Sequence, residues 1–261
     1  MKTNIFVVSH KIFNKPKDNL YKAIYVGNKI IDDREKTLLK DNSKDNIEKK
    51  NSSYCELTAV YWLWKNYNEI ENIGICHYRR YFSRKVISKS EKHYINNMDI
   101  ISALNNYDII VPQKWWHSKY TNSENYYIHG AGKKKDLIVL RKIIEVKYPQ
   151  YIVYYDRVLN MHAASYCNML ITTKETYDNY CNWLFDILFE AEKQIDISNY
   201  NKTEARVFGY MSELLLNVWI LKNNLKVKEV NMVNTETTSW YNLKFYISNQ
   251  IQKVKCRKYK E

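Results

Sequence analysis

Residues 52–77 read SSYCELTAVYWLWKNYNEIENIGICH. Leu57, Tyr61 and Trp64 recur at helical spacing, so 52–67 is expected to be a helix. Ser52 or Ser53 stands where an N-cap belongs, and Glu56 falls in the first turn, close to a capping box. The short apolar run NIGICH, 72–77, then reads as a buried strand. Helix, short turn and strand in succession is the pattern of an α/β fold.

Outward from this stretch the same pattern repeats. NIFVVS, 4–9, and YDIIV, 107–111, read as buried strands, the second stopped by Pro112. ASYCNMLIT, 164–172, and residues 225–231 read as strands too. Helices are expected over 133–147, 174–193 and 203–222. Residues 28–50 are polar without an apolar period and read as a loop. Residues 83–106 read as polar, then weakly helical. Residues 113–130 read as a loop rich in aromatics and histidine. The expected architecture is one α/β domain over 1–239, a mostly parallel sheet flanked by helices. A basic amphipathic extension, 240–261, follows it.

The chain has 261 residues, 45% of them hydrophobic, which is ample for a core and excludes disorder as a whole. No apolar run reaches the roughly 18 residues of a membrane span. The first strand is too short for a signal peptide, and His10 and Lys11 interrupt it, so a cytoplasmic protein is expected. Cys55, Cys76, Cys167, Cys181 and Cys256 are odd in number and form no CxxC, which argues against zinc ribbons and thiol redox chemistry. Three of them sit in apolar segments as small hydrophobes. Gly27, Gly74, Gly130, Gly132 and Gly209 are the five glycines, and no GxGxxG, GxxxxGK[ST] or GxSxG is present. The net charge is +13, from 41 Lys and Arg against 28 Asp and Glu. It reflects either a Lys- and Tyr-rich bias or an anionic partner: substrate, membrane surface or nucleic acid.

Strand 72–77 ends in His77, Tyr78, Arg79, Arg80 and Tyr81. Continued as a strand, it would turn His77, Arg79 and Tyr81 to one face and Tyr78, Arg80 and Phe82 to the other. Ligands of open α/β sheets bind outside the carboxyl ends of strands, where these residues suit an anion.

Here the sequence resembles a family of bacterial capsular and exopolysaccharide glycosyltransferases, formerly a domain of unknown function. The most telling motif is GICHYRRYF, Gly74–Phe82. VSHK (Val8–Lys11), DNIEKKN (Asp45–Asn51), YCELTAVYWLWKN (Tyr54–Asn66) and DIIVP (Asp108–Pro112) match in order. YCNWLFDILFEAEKQID (Tyr180–Asp196) and RVFGYMSELLLNVW (Arg206–Trp219) complete the match over most of residues 1–230. The resemblance implies a GT-A-like, Rossmann-like transferase that uses a nucleotide sugar, a UDP-sugar by expectation. The implied acceptor is a lipid-linked or growing glycan.

Many such enzymes hold the diphosphate through a DxD motif and a divalent metal. This chain has no DxD; Asp33-Arg34-Glu35 is the nearest pattern, and HYRRY stands where DxD is expected. The reading is that His77, Arg79 or Arg80 replaces the metal as counter-charge to the departing diphosphate. The alternative is manganese or magnesium on scattered carboxylates.

Ser9, His10 and Lys11 end the first strand and would border the nucleotide pocket. Asp45, Asn46, Lys50 and Asn51 are nucleotide-side candidates or plain turn residues. On helix 203–222, Arg206, Tyr210, Glu213 and Asn217 share a narrow polar face opposite Val207, Met211, Leu214, Leu215, Val218 and Leu221. Glu213 is the first candidate for the base an inverting transferase needs, and Glu204 the second. A structural Arg206–Glu213 pair is the competing reading. Asn168 would face the donor sugar, and Asp108 would touch sugar or acceptor. Trp115, Trp116, His117 and His129 would stack on sugar or fill a satellite core. In 240–261, Trp240, Leu243, Ile247, Ile251 and Val254 recur at helical spacing among Lys244, Lys253, Lys255, Arg257, Lys258 and Lys260. Such a helix lies on an anionic inner membrane or docks on its own domain. The competing function is a non-catalytic module for nucleic acid or anionic glycan. Nucleic acid is disfavoured, because no such motif appears and the basic residues are scattered apart from the C-terminal tail.

Overall fold

The computed structural model describes residues 2–27, 38–129 and 132–259. Asp33-Arg34-Glu35, Gly130 and Lys260 lie outside the described residues. The first half runs β1 (Thr3–Ser9), β2 (Tyr21–Tyr25), α1 (Asn51–Tyr54), α2 (Leu57–Asn66), β3 (Asn72–His77) and β4 (Arg80–Ser83). Then come α3 (Asn97–Leu104), β5 (Ile109–Pro112), β6 (Trp115–Trp116), α4 (Asn122–Ile128), α5 (Lys134–Lys147) and α6 (Ile152–Asn160). The chain continues through β7 (Ala163–Ala164), β8 (Leu170–Thr173), α7 (Lys174–Gln194), α8 (Val207–Lys222), β9 (Val227–Asn234) and α9 (Ser239–Cys256).

Among the described residues the central sheet has seven strands, in the order β2-β1-β3-β4-β9-β5-β8, and β3 also pairs β8. The strands β3-β4-β9-β5-β8 thereby close a ring. Among the described strands, β1–β2, β1–β3 and β5–β9 pair in parallel, while β3–β4, β3–β8, β4–β9 and β5–β8 are antiparallel. The expected mostly parallel sheet is therefore corrected to a mixed, mainly antiparallel one. One cause, for β3–β4, lies at Tyr78 and Arg79. They turn the chain so tightly that His77 pairs with Arg80, and a connection that short can only be antiparallel. The alternation expected through Tyr81 stops at this turn.

Two further expectations are corrected. Helix 52–67 is broken at Cys55, whose φ of 53° stops α1. Neither α1 nor α2 has a side-chain N-cap, so the Ser52 or Ser53 cap does not form. The strand expected at 164–172 splits into β7 and β8, because Cys167 (φ 76°) and Asn168 (φ 49°) both adopt left-handed backbone. Residues 113–130 also contain β6 and α4, whose Thr121 and Glu124 form a reciprocal capping box.

The core lies between the sheet and the α2–α7–α8 layer. Ile5, Ile73, Ile75, Leu63, Leu184, Phe208 and Leu215 are among its buried side chains. β3 passes between β1 and β8, and Gly74 is what lets them close up. A Cβ there would meet both Ile5 Cγ1 and Ile171 Cγ1 at 2.9 Å. Among the described residues, no helix is long and apolar enough to cross a membrane.

Candidate active site at the carboxyl ends of the first three strands

β1, β2 and β3 are parallel, so their carboxyl ends share one edge of the sheet. β8 runs antiparallel to β3 with Ile75 opposite Leu170, which brings Cys167 and Asn168 to the same edge beside His77. His77 Nε2 lies 2.6 Å from the Cys167 carbonyl oxygen. A carbonyl only accepts, so Nε2 carries the proton and donates. Burial holds the His77 imidazole below its ordinary pKa; Arg80 and Arg79 push the same way, against Glu56. His77 is therefore neutral at pH 7, and the positive charge at this strand end belongs to the two arginines.

The polar face of α8 clamps the turn before β8. Glu213 Oε1 accepts from the Cys167 N–H at 2.9 Å. Asn217 accepts from the Ser165 N–H and donates to its carbonyl, both at 2.9 Å. Ser212 donates to Asn168 Oδ1 at 2.8 Å, and Asn168 Nδ2 donates to Glu56 Oε1 at 2.7 Å and to the Gly209 carbonyl at 3.0 Å. These bonds hold two adjacent residues in left-handed backbone, and strain of that kind concentrates at functional sites. Burial, and then the Glu56 charge, pushes the Glu213 carboxyl up to about 8; the Cys167 N–H, Arg80 and Arg206 oppose the shift. Arg206 does not bond Glu213. Its Nε donates to Cys55 Sγ at 3.1 Å, and its guanidinium lies 5.3 Å from the Tyr210 ring centre. The Cys55 thiol is pushed up to about 11, mainly by burial, so it stays protonated.

A second cluster flanks the first. Lys11 Nζ donates to Glu236 Oε1 at 2.8 Å and lies 4.7 Å from the Tyr78 ring centre. Arg79 reaches the same carboxylate at 3.4 Å, and His10 meets Tyr78 edge-on with centroids 5.3 Å apart. Ser9 is buried, and its hydroxyl bonds the Lys11 backbone. At the end of β2, Asn51 donates to the Cys55 carbonyl at 2.8 Å and to Thr58 at 3.1 Å. It also crowds Gly27, which needs its positive φ of 74° and would carry no Cβ there without a clash. Buried Asp41 is raised to about 6, chiefly by desolvation, and its Oδ2 has no partner among the described residues.

Other candidates stand elsewhere. Asp108 precedes β5 at the opposite end of the sheet, since Ile109 pairs with Thr172. Its Oδ2 accepts from the Lys226 N–H at 2.7 Å, so contact with sugar or acceptor at this site is corrected to an anchor between β5 and β9. Asp45 accepts from the Tyr61 hydroxyl at 3.0 Å, and Asn46 caps its own turn by accepting from the Glu48 N–H. Asp45 thereby ties the segment before α1 to α2. Lys50 pairs with Glu192, and Glu204 lies 3.6 Å from Lys133. Trp115 packs edge-on against Phe245 with centroids 5.2 Å apart, His117 faces Tyr166, and His129 faces Tyr120. Four of the five cysteines are buried, and none of the five is in a disulfide. Glu56, Cys55, Asp41 and Glu236 escaped the sequence reading. Their partners are distant in the chain, and Glu56 sits at a position that suits an ordinary helix start.

The apo structure of the bifunctional glycosyltransferase WbbM is similar, with a TM-score of 0.81 and 29% identity over 91% of this chain. The chain spans 46% of the length of that protein. No curated protein matches. Residues 4–224 match the family described as Domain of unknown function (DUF4422), and the chain belongs to that family.

Proposed function

We propose that the chain is a cytoplasmic glycosyltransferase that passes a hexose or galactofuranose from a UDP-sugar to a growing or lipid-linked glycan. Capsule, exopolysaccharide or O-antigen synthesis is the setting this reading favours. The observation that carries it is the convergence of Arg79 and Arg80 with the half-buried Glu213 carboxyl at the ends of β1, β3 and β8. The likeness to WbbM supports it.

In this reading Glu213 takes the proton of an acceptor hydroxyl as its oxygen forms a bond to the anomeric carbon. The bond from that carbon to the diphosphate breaks, and the negative charge leaves on UDP. Arg79 and Arg80, already fixed at the strand end, face the departing charge without reorganising, as electrostatic catalysis requires. His77 acts in its neutral form: it holds the Cys167 turn and keeps Nδ1 free as an acceptor. Ser9, His10, Lys11 and Asn51 border the nucleotide, with Tyr78 as a stacking face. Asn168 and Arg206 lie toward the donor sugar. Lys11 and Arg79 share Glu236 in the free chain, and a diphosphate would compete with that carboxylate for them.

Calorimetric titration with UDP, GDP, CMP and short single-stranded DNA, each with manganese and with EDTA, tests this. Selective UDP binding that survives EDTA is expected, and Arg79→Ala with Arg80→Ala should weaken it by about tenfold or more. UDP binding only with manganese would transfer the counter-charge role to a metal. Salt-sensitive DNA binding without UDP binding would replace the transferase by a nucleic-acid module.

A further inference from the structure

The helix α9 is amphipathic in the reverse sense. At about 100° per residue, Asn242, Asn249, Gln252 and Cys256 share one face, and Trp240, Ile247, Ile251 and Val254 share the opposite one. The polar face is the one that packs inward. Asn249 accepts from the Trp116 N–H and donates to the Lys114 carbonyl, both at 2.8 Å. Gln252 accepts from the Ser118 N–H at 3.2 Å, Asn242 donates to the Asn234 carbonyl at 3.0 Å, and Cys256 is buried. The apolar face is the one in solvent: Trp240 is 61% exposed, Ile247 47%, Ile251 49% and Val254 57%. A helix docked for its own burial would turn these four inward. Contiguous exposed apolar surface of this kind marks an interaction site.

We infer that α9 lies in the plane of an anionic membrane, with Trp240, Ile247, Ile251 and Val254 in the acyl boundary. Charge selects this occupant. Residues 239–259 contain Lys244, Lys253, Lys255, Arg257 and Lys258 and no acidic residue. All five basic residues are exposed, and Lys244 and Lys255 flank the apolar stripe directly. A second copy of the helix would bring like charges together along the seam. A bilayer with anionic headgroups receives stripe and flanks at once. The helix is about 27 Å long, enough to seat all four apolar residues on one surface.

The docking also points the site at its acceptor. A cavity of about 140 Å³ runs from Arg80 to α9, lined by Trp115, Tyr241, Phe245 and Tyr246. An acceptor glycan anchored in the membrane would enter there, beside the cations of the strand end. This last step rests on the transferase reading; the docking itself does not.

Vesicle flotation tests it, using phosphatidylcholine alone and phosphatidylcholine with about 30% phosphatidylglycerol. The full chain is expected to float with the anionic vesicles and to be released at about 0.5 M salt. The triple variant Trp240→Ser, Ile247→Ser, Ile251→Ser changes only solvent-facing groups and keeps the Asn249 and Gln252 anchors. It should bind at least about tenfold more weakly while its UDP titration is unchanged. Lys244→Glu with Lys255→Glu should remove the preference for anionic vesicles. Flotation equal for wild type and triple variant would overturn the inference. So would self-association that the triple variant abolishes, which would assign the stripe to a second copy. Vesicle binding without UDP binding would uphold the docking and remove the transferase.

Discussion

Glu213 holds a carboxyl in a place that disfavours its charge. A carboxyl raised to about 8 keeps its proton in the folded chain at a pH where the unfolded chain, near 4.5, has lost it. Between these values the native state binds more protons, so stability falls as pH rises through that window. Glu213→Gln keeps an oxygen for the Cys167 N–H and removes the titration. Urea unfolding should show the variant gaining up to about 4 kcal/mol over wild type at pH 8 and almost nothing at pH 4. Turnover should drop by about 10²–10⁴-fold if Glu213 is the base, and wild-type turnover should rise with pH toward about 8. A folded variant with full turnover would take Glu213 out of the mechanism. The polar face of α8 was legible from its 100° periodicity, and Glu213 and Asn217 do point to one place. Its target, the 165–168 turn, was not legible. Nothing in ASYCNMLIT announces that Cys167 and Asn168 leave the strand conformation.

At the scale of elements, β3 is the hinge of the architecture. Its apolar run was plain in the sequence, but its partners were not: one edge serves β1, and the other serves β8 and then β4. Gly74 marks the closest approach. Gly74→Ala is expected to destabilise the chain by about 1–3 kcal/mol through overpacking against Ile5 and Ile171, read as a lower urea midpoint with unchanged slope. At Gly209, by contrast, an added Cβ would meet Cys55 Cβ and Sγ at 3.4 Å, an ordinary van der Waals contact. The continuous helix expected at 52–67 failed for a tertiary reason. Cys55 takes positive φ where Arg206 and Asn51 bond its thiol and its carbonyl, contacts from residues that local propensity does not weigh.

For the molecule as a whole, one core joins both halves. It draws on residues from Ile5 to Val233, and none of the described residues of α9 belongs to it. Hydrogen exchange should therefore be slowest in α7 and α8, opening only with global unfolding, and distinctly faster across α9. Equal protection in α9 and α8 would show that polar anchors alone bind the helix as firmly as core burial. The +13 charge is spread over the chain but unopposed in 239–259, and there it coincides with the outward apolar stripe. Bound vesicles should raise the protection of α9 while leaving α7 and α8 unchanged.

The amino-acid sequence alone determined the α/β class, most of the strands and helices, the polar face of α8 and the HYRRY strand end. Each of these rests on local periodicity or on a motif, which neighbouring residues carry by themselves. Tertiary structure decided the antiparallel ring, the break at Cys55, the left-handed turn at Cys167 and Asn168, and the reversed facing of α9. It also separated Asp108 from the site and joined Glu56 to it. These depend on which strand edges meet and on hydrogen bonds between residues far apart in the chain. Such pairings are selected by the free energy of the whole packed core, and a local stretch of sequence does not encode them.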